Sequence, residues 1–240
     1  MRNIALFDLD HTLIPIDSDF EWGQFLCRVG AVDADEFARR NADFFAQYQA
    51  GTLDPVEYLE FALGTLAQFP RTRLDELHAQ FMQEVITPVL LPAAYDLIKK
   101  HQDQDDLIAI ITATNRFVTA PIALALGVQH LMAAEPELDA TGNITGKLLG
   151  VPSSGAGKVV HLENWLARQE VTQLRQLSDF KHSYFYSDSQ NDIPLLERVS
   201  HPVATNPNAK LSAHALAKGW PQLHLFDKQL SRNLFAKYWA

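Results

Sequence analysis

Only one cysteine, Cys27, occurs in 240 residues. An intramolecular disulfide is therefore impossible, and without a Cys/His cluster the sequence offers no zinc site. Cys27 itself reads as an apolar thiol on a helix. Cations are also scarce: 20 Lys and Arg stand against 29 Asp and Glu, a formal net charge of −9. Nucleic-acid binding needs clustered Lys and Arg against the phosphate backbone, so no nucleic-acid partner is expected. A small phosphorylated ligand stays open, because one local lysine and a metal outweigh a distant net charge. No apolar run is long enough to span a membrane. The opening Met1-Arg2-Asn3-Ile4 runs into a short apolar stretch that ends in two aspartates, unlike a signal peptide. These absences predict a cytoplasmic protein and set no oligomeric state.

What is present alternates. Ile4-Ala5-Leu6-Phe7 is a short apolar run halted by Asp8, and Leu107-Ile108-Ala109-Ile110-Ile111 is a longer, β-branched one closed by Thr112. Tyr184-Phe185-Tyr186 stops just before Asp188, and Pro202-Val203-Ala204 precedes Asn206. Runs of this kind suit buried parallel strands. Helical patterns lie between them: Ala93 to His101 after Pro92, Arg116 to Leu126 before Gly127, and Lys158 to Gln169 with Val159, Leu162 and Leu166 on one face. The alternation predicts an α/β fold with a parallel sheet flanked by helices. Ligands then gather beyond the carboxyl ends of the strands, where Asp8, Thr112 and Asp188 would sit. Asp139-Ala140-Thr141-Gly142-Asn143 reads as a hairpin turn.

Residues 16 to 86 break the alternation with a helical, aromatic-rich stretch: Phe20, Trp22, Phe25, Phe37, Phe44, Phe45, Tyr48, Tyr58 and Phe61. Turn signals at Gly30 and at Gly51-Thr52-Leu53-Asp54-Pro55 divide it. The expectation is a small α-helical domain of residues 16–86, built on its own aromatic core, inserted into an α/β domain of residues 1–15 and 87–240.

The segment richest in chemistry is Phe7-Asp8-Leu9-Asp10-His11-Thr12-Leu13. Two carboxylates two residues apart at a strand end can share a hard cation, or divide nucleophilic and proton-transfer work between them. An Asx-rich turn would have the same composition. Ser187-Asp188-Ser189-Gln190-Asn191-Asp192 follows another apolar run and is either a second half of such a site or a helix N-cap. Thr112 offers a hydroxyl. Lys158 follows Gly155-Ala156-Gly157, but this is no P-loop, since the first glycine is missing and Val159 stands where Ser or Thr belongs.

In this order and spacing the segments resemble the haloacid dehalogenase superfamily, in particular its helical-cap branch that includes the phosphoserine phosphatases. Asp8, Asp10 and Thr12 match its Asp-x-Asp-x-Thr motif, Thr112 its second motif, Lys158 its third, and Asp188 with Asp192 its acidic fourth. The resemblance implies a Rossmann-like core, a phosphatase activity on a small phosphorylated metabolite, and Mg²⁺. It implies that Asp8 attacks phosphorus, that Asp10 is acid and then base, and that Lys158 and Thr112 offset charge on the phosphoryl oxygens. Asp8, Asp188 and the backbone carbonyl of Asp10 would hold the metal. Asp192 would support them, with Asp17, Ala113, Asn115 and Asn191 toward the substrate. A phosphotransferase would keep the same residues. A non-catalytic phosphate-binding module should have lost a motif carboxylate, and none is missing.

Two positions depart from the family pattern. Ser187 stands where the fourth motif usually has Gly, so the turn must differ if the backbone there needs a positive φ. The acid that follows the first motif is present as Asp17, but the arginine that receives a substrate carboxylate is not: the aligned positions hold Glu60, Phe61 and Ala62, and Arg39 and Arg40 read as solvated. An acid without a carboxylate clamp suits a substrate with a cationic end and no carboxylate. That pattern fits an amino-alcohol phosphate such as histidinol phosphate, phosphoethanolamine or phosphocholine, its amine on Asp17 and its ring or cation against aromatics.

Overall fold

The computed structural model describes residues 2–50, 52–168 and 174–226, apart from the side chains of residues 45 and 48–50. Gly51 and Gln169 therefore lie outside the described residues, as do the side chains of Phe45 and Tyr48. In chain order the elements are β1 (Ile4–Phe7), α1 (Ser18–Arg28), α2 (Ala34–Ala50), α3 (Pro55–Leu66), α4 (Arg71–Phe81), α5 (Pro92–Gln102), β2 (Leu107–Asn115), α6 (Arg116–Ala125), β3 (His130–Leu138), β4 (Ile144–Leu149), α7 (Ala156–Ala167), β5 (Ser183–Ser187), α8 (Ile193–Leu196), β6 (His201–Thr205), α9 (Ala209–Lys218) and β7 (Gln222–Leu223). Among the described residues no helix is long and apolar enough to cross a membrane.

The strands form one sheet in the order β4-β3-β2-β1-β5-β6-β7. All neighbours pair in parallel except β3 and β4, which are antiparallel and joined by the turn at Asp139–Asn143. Strand alternation sorts β1 between two cores: Ala5 and Phe7 pack with α5 and α6, while Ile4 and Leu6 pack with α7, α8 and α9. The chain leaves β1 for β2 on one side and later returns to β5 on the other. The carboxyl end of β1 is thus a topological switch point.

Two expectations change in detail. Strand β2 runs on past Thr112 to Asn115, because β3 recovers pairing at Asn115 opposite Ala134 after a register shift. The aromatic segment between β1 and β2 has no single core of its own. Trp22, Phe25 and Phe81 join the core that holds Phe7 and Phe117 on the sheet side, whereas Phe37, Phe44, Tyr58 and Phe61 cluster separately. Helix α3 is also pressed onto the β3–β4 hairpin. Gly146 sits at φ +89, and a Cβ there would lie 3.3 Å from the Cα of Gly64. Only glycine fits both the backbone angle and that approach.

Candidate active site

Asp8 emerges buried at the end of β1, its N–H donating to the Tyr186 carbonyl of β5 at 2.9 Å. The chain then doubles back: the N–H groups of Thr12, Leu13 and Ile14 all return to the Leu9 carbonyl, and His11 takes φ +56. This turn sends the two motif carboxylates to different partners. Asp10 turns toward α1 and β2, where Oδ1 accepts the Ser18 N–H at 2.7 Å and Oδ2 accepts the Thr114 hydroxyl at 2.8 Å. Burial, then the charge of Asp17, raise the Asp10 carboxyl to about 8 against the pull of the Ser18 hydrogen bonds. A carboxylic acid held near neutrality is what leaving-group protonation requires.

Asp8 turns the other way. Its Oδ1 receives the Lys158 ammonium at 2.7 Å, and Thr12 donates to Oδ2 at 3.3 Å. Lys158, only 2% exposed, also donates to Asp192 at 2.7 Å. Burial opposes its charge, but the carboxylates of Asp192 and Asp8 outweigh burial and hold the ammonium charged well above the ordinary lysine range. Gly157 makes this placement possible, because a Cβ there would fall 2.0 Å from the Pro152 carbonyl oxygen. Ser187 proves compatible with the turn. It ends β5 in ordinary negative-φ backbone, and its buried hydroxyl donates to Asp192 at 2.7 Å while accepting the Ser189 N–H at 3.2 Å. The departure from glycine thus adds a hydrogen bond to the acid that holds Lys158.

Asp188 follows directly, tied in by its N–H to the Thr12 hydroxyl at 3.1 Å. Burial and the neighbouring charges of Asp8 and Asp192 push its carboxyl up to about 8, with Lys158 opposing them. Two carboxylates crowded at one wall of a cavity fit a hard divalent cation, which takes oxygen ligands and relieves that repulsion. Among the described residues no group of three or more His, Cys, Asp or Glu side chains is set to hold a metal. A cation would thus bind Asp8 and Asp188 with backbone or ligand oxygens. The Asp10 side chain is turned toward Ser18 and Thr114, so its contribution would come from the backbone carbonyl.

The wall on the α1 side is acidic too. Asp17 caps α1, Oδ1 accepting the N–H groups of Asp19 at 3.1 Å and Phe20 at 2.9 Å. Asp19 accepts from the Tyr58 hydroxyl at 2.7 Å and from the Asn115 amide at 3.1 Å. Asn115 in turn caps α6 through the Val118 N–H. Burial and then Asp17 raise Asp19 to about 6 and Glu21 to about 7. Among the described residues no Lys, Arg or His forms an ion pair with Asp17 or Asp19.

One cavity of about 1470 Å³ joins these walls. Asp8, Asp10, Asp17, Thr112, Ala113, Lys158, Asp188, Asn191 and Asp192 all line it, with Ala113 and Asn191 exposed on its surface. Of the residues predicted from sequence, Asn115 and the motif residue Thr12 are held back from the lining. Arg40, expected in solvent, lies half-buried over the Phe44 and Phe61 rings and outside the lining. No arginine lines the cavity among the described residues. A smaller cavity of about 800 Å³ at the amino ends of the strands, beside Tyr184, His201 and Trp220, contains none of the motif residues. Sequence reasoning missed Thr114, Ser18, Asp19 and Tyr58. Thr114 was within reach, two positions along a strand from Thr112 and hence on its face; the other three have no local signal.

A parallel sheet carrying an aspartate, a second acid and a charge-neutralising lysine at its switch point belongs to a class of hydrolases that act on phosphate esters. A family model for haloacid dehalogenase-like hydrolases matches residues 5–197, and the chain belongs to that family. It is 42% identical over 224 residues to a histidinol-phosphatase of Neisseria meningitidis serogroup C (strain 8013), covering 93% of this chain and 99% of the relative. A solved structure from Bordetella pertussis Tohama I, of a protein described as having unknown function, superposes with a TM-score of 0.89 at 48% identity, covering 94% of this chain and all of that one. A substrate-bound phosphoserine phosphatase shares the fold at 15% identity, with a TM-score of 0.61 over 93% of each chain. The chain is a phosphatase.

Proposed function

We propose that this phosphatase is Mg²⁺-dependent, carries the phosphoryl group on Asp8, and hydrolyses an amino-alcohol phosphate, histidinol phosphate above all. The observation that carries the substrate is the cavity itself, in which, among the described residues, the acids Asp17 and Asp19 have no ion-pair partner and the lining cations are Lys158 and Lys210, with no arginine. The likeness to a histidinol-phosphatase points the same way. Segment 16–86 acts as the helical cap and residues 1–15 and 87–240 as the core.

Asp8 attacks phosphorus, and the bond from phosphorus to the ester oxygen breaks as the Asp8–phosphorus bond forms. Asp10 gives its proton to the departing alkoxide, then takes one from the water that attacks the phosphorylated aspartate and frees phosphate. Lys158, held by Asp8 and Asp192, and Thr112 balance charge on the transferring oxygens. Mg²⁺, held by Asp8, Asp188 and the Asp10 carbonyl oxygen, supplies further charge compensation when bound. Ala113 and Asn191 serve the phosphate end, Asp17 receives the substrate amine, and Asn115 acts through Asp19.

Steady-state kinetics on a panel of phosphomonoesters with Mg²⁺ tests this. Histidinol phosphate should exceed phosphoserine in kcat/KM by about tenfold or more, the discrimination of roughly one well-made polar interaction. Equal turnover of the two would sink the substrate, and activity surviving in Asp8→Asn would reject the mechanism.

A further inference from the structure

Resting on that reading, we infer that Asp19, held in place by Tyr58 and Asn115, is the specificity residue that receives a second, ring-borne cationic N–H of the substrate, separate from the amine received by Asp17. The substrate class is then an amino-alcohol phosphate ending in a protonated nitrogen heterocycle, not any phosphorylated amine.

Three observations converge on Asp19. First, it lines the cavity that contains Asp8, and it is half-buried with no cationic partner among the described residues. Second, each of its carboxylate oxygens already accepts one hydrogen bond, Oδ2 from Tyr58 and Oδ1 from Asn115. A carboxylate oxygen accepts two, so capacity remains on both, and the group is pre-oriented before a ligand arrives. Third, the flanking wall is aromatic: Phe20, Phe44 and Tyr58 line the same cavity, with Phe44 and Tyr58 edge to face at 5.4 Å. A flat cationic ring gains from such a wall as well as from the carboxylate. A simple ammonium such as that of phosphoethanolamine brings no ring to this wall.

Asp17 is suited to a different task. One of its oxygens is committed to the α1 N-terminus, and its charge falls on Asp10, next to the reacting ester. In the inferred arrangement the amine, one carbon from the ester carbon, lies on Asp17, and the ring, further along the chain, on Asp19.

The test compares three substrates in the Mg²⁺-loaded enzyme: histidinol phosphate, its phenyl counterpart phenylalaninol phosphate, and phosphoethanolamine, with propyl phosphate as the amine-free alkyl reference. Wild type should prefer histidinol phosphate to phenylalaninol phosphate at least tenfold in kcat/KM. In Asp19→Asn that ratio should collapse to within about threefold of unity, and Tyr58→Phe should lower it part of the way; a ratio cancels any uniform loss from either change. A wild-type enzyme indifferent to imidazole against phenyl, or a ratio preserved in Asp19→Asn, overturns the inference. If Asp19→Asn fails to fold, Tyr58→Phe carries the comparison, and a ratio that it leaves unchanged overturns the inference. If amine-bearing substrates surpass propyl phosphate but the ring makes no difference, only the role of Asp19 fails. If they do not surpass it, the amino-alcohol reading falls and takes this inference with it.

Discussion

The two walls of the cavity are both acidic, yet among the described residues only one holds a buried lysine. On the β5 side, Asp8 and Asp192 share one buried lysine, each at 2.7 Å from its ammonium. On the α1 side, Asp17 and Asp19 are braced by hydroxyl, amide and backbone N–H donors that carry no net charge. The difference separates carboxylates held by a buried charge from carboxylates held by neutral donors alone. A buried ion pair holds its geometry because breaking it leaves an uncompensated charge. A carboxylate braced by neutral donors keeps its orientation and its unmet demand for a cation.

The strongest way to break the comparison is through Asp10, which sits between the walls. Asp10→Asn should lower kcat on alkyl phosphates by about 10²–10⁴-fold, the range for general acid catalysis. It should lower kcat much less on p-nitrophenyl phosphate, whose leaving group needs no proton. Equal losses on both would remove Asp10 from the acid role. Next in size, Lys158→Met strands Asp8 and Asp192 and should cost about 3–5 kcal/mol in urea unfolding. A loss under ~1 kcal/mol would mean the pair is not the permanent element described here.

The charge left over on the cavity walls should also show as a pH effect. In metal-free protein, Asp19, Glu21, Asp10 and Asp188 stand at about 6, 7, 8 and 8. Each binds its proton more tightly folded than unfolded. Their contribution is fully present below the unfolded carboxylate range near about 4 and is lost as pH rises through the folded values. Urea midpoints measured in chelator should therefore fall from pH 5 to pH 8, and added Mg²⁺ should restore part of the loss at pH 8. A midpoint that rises over this interval would contradict an excess of acid on the cavity walls. The smallest effect is Asp17→Asn. Asparagine caps a helix as well as aspartate, so removing the charge should leave stability unchanged or raise it by up to about 1 kcal/mol while kcat/KM for an amine substrate falls. A clear loss of stability would reveal a cationic partner for Asp17.

Much of this was legible in the sequence. The apolar runs before Asp8, Thr112 and Asp188 are local patterns, and a buried strand or its carboxyl end is a local event. The lysine was legible only in combination with the other motifs, since Lys158 alone looks like any surface lysine. The continuation of β2 to Asn115 was not legible, because it depends on a register shift against β3. Nor was the harmlessness of Ser187, which rests on its backbone angle and on a hydroxyl that reaches Asp192.

By itself the sequence determined the alternation that makes the parallel sheet, the strand ends where chemistry gathers, and the acid pair Asp8 and Asp10. Only the tertiary structure decided which carboxylate has a cation and which does not. Tyr58 reaches Asp19 across 39 positions and Asn115 across 96, while Lys158 reaches Asp8 across 150. Electrostatic pairing depends on distance through a low-dielectric interior, not on separation along the chain. The same residue type therefore ends beside a lysine, a hydroxyl or an amide according to what the fold brings within hydrogen-bonding reach.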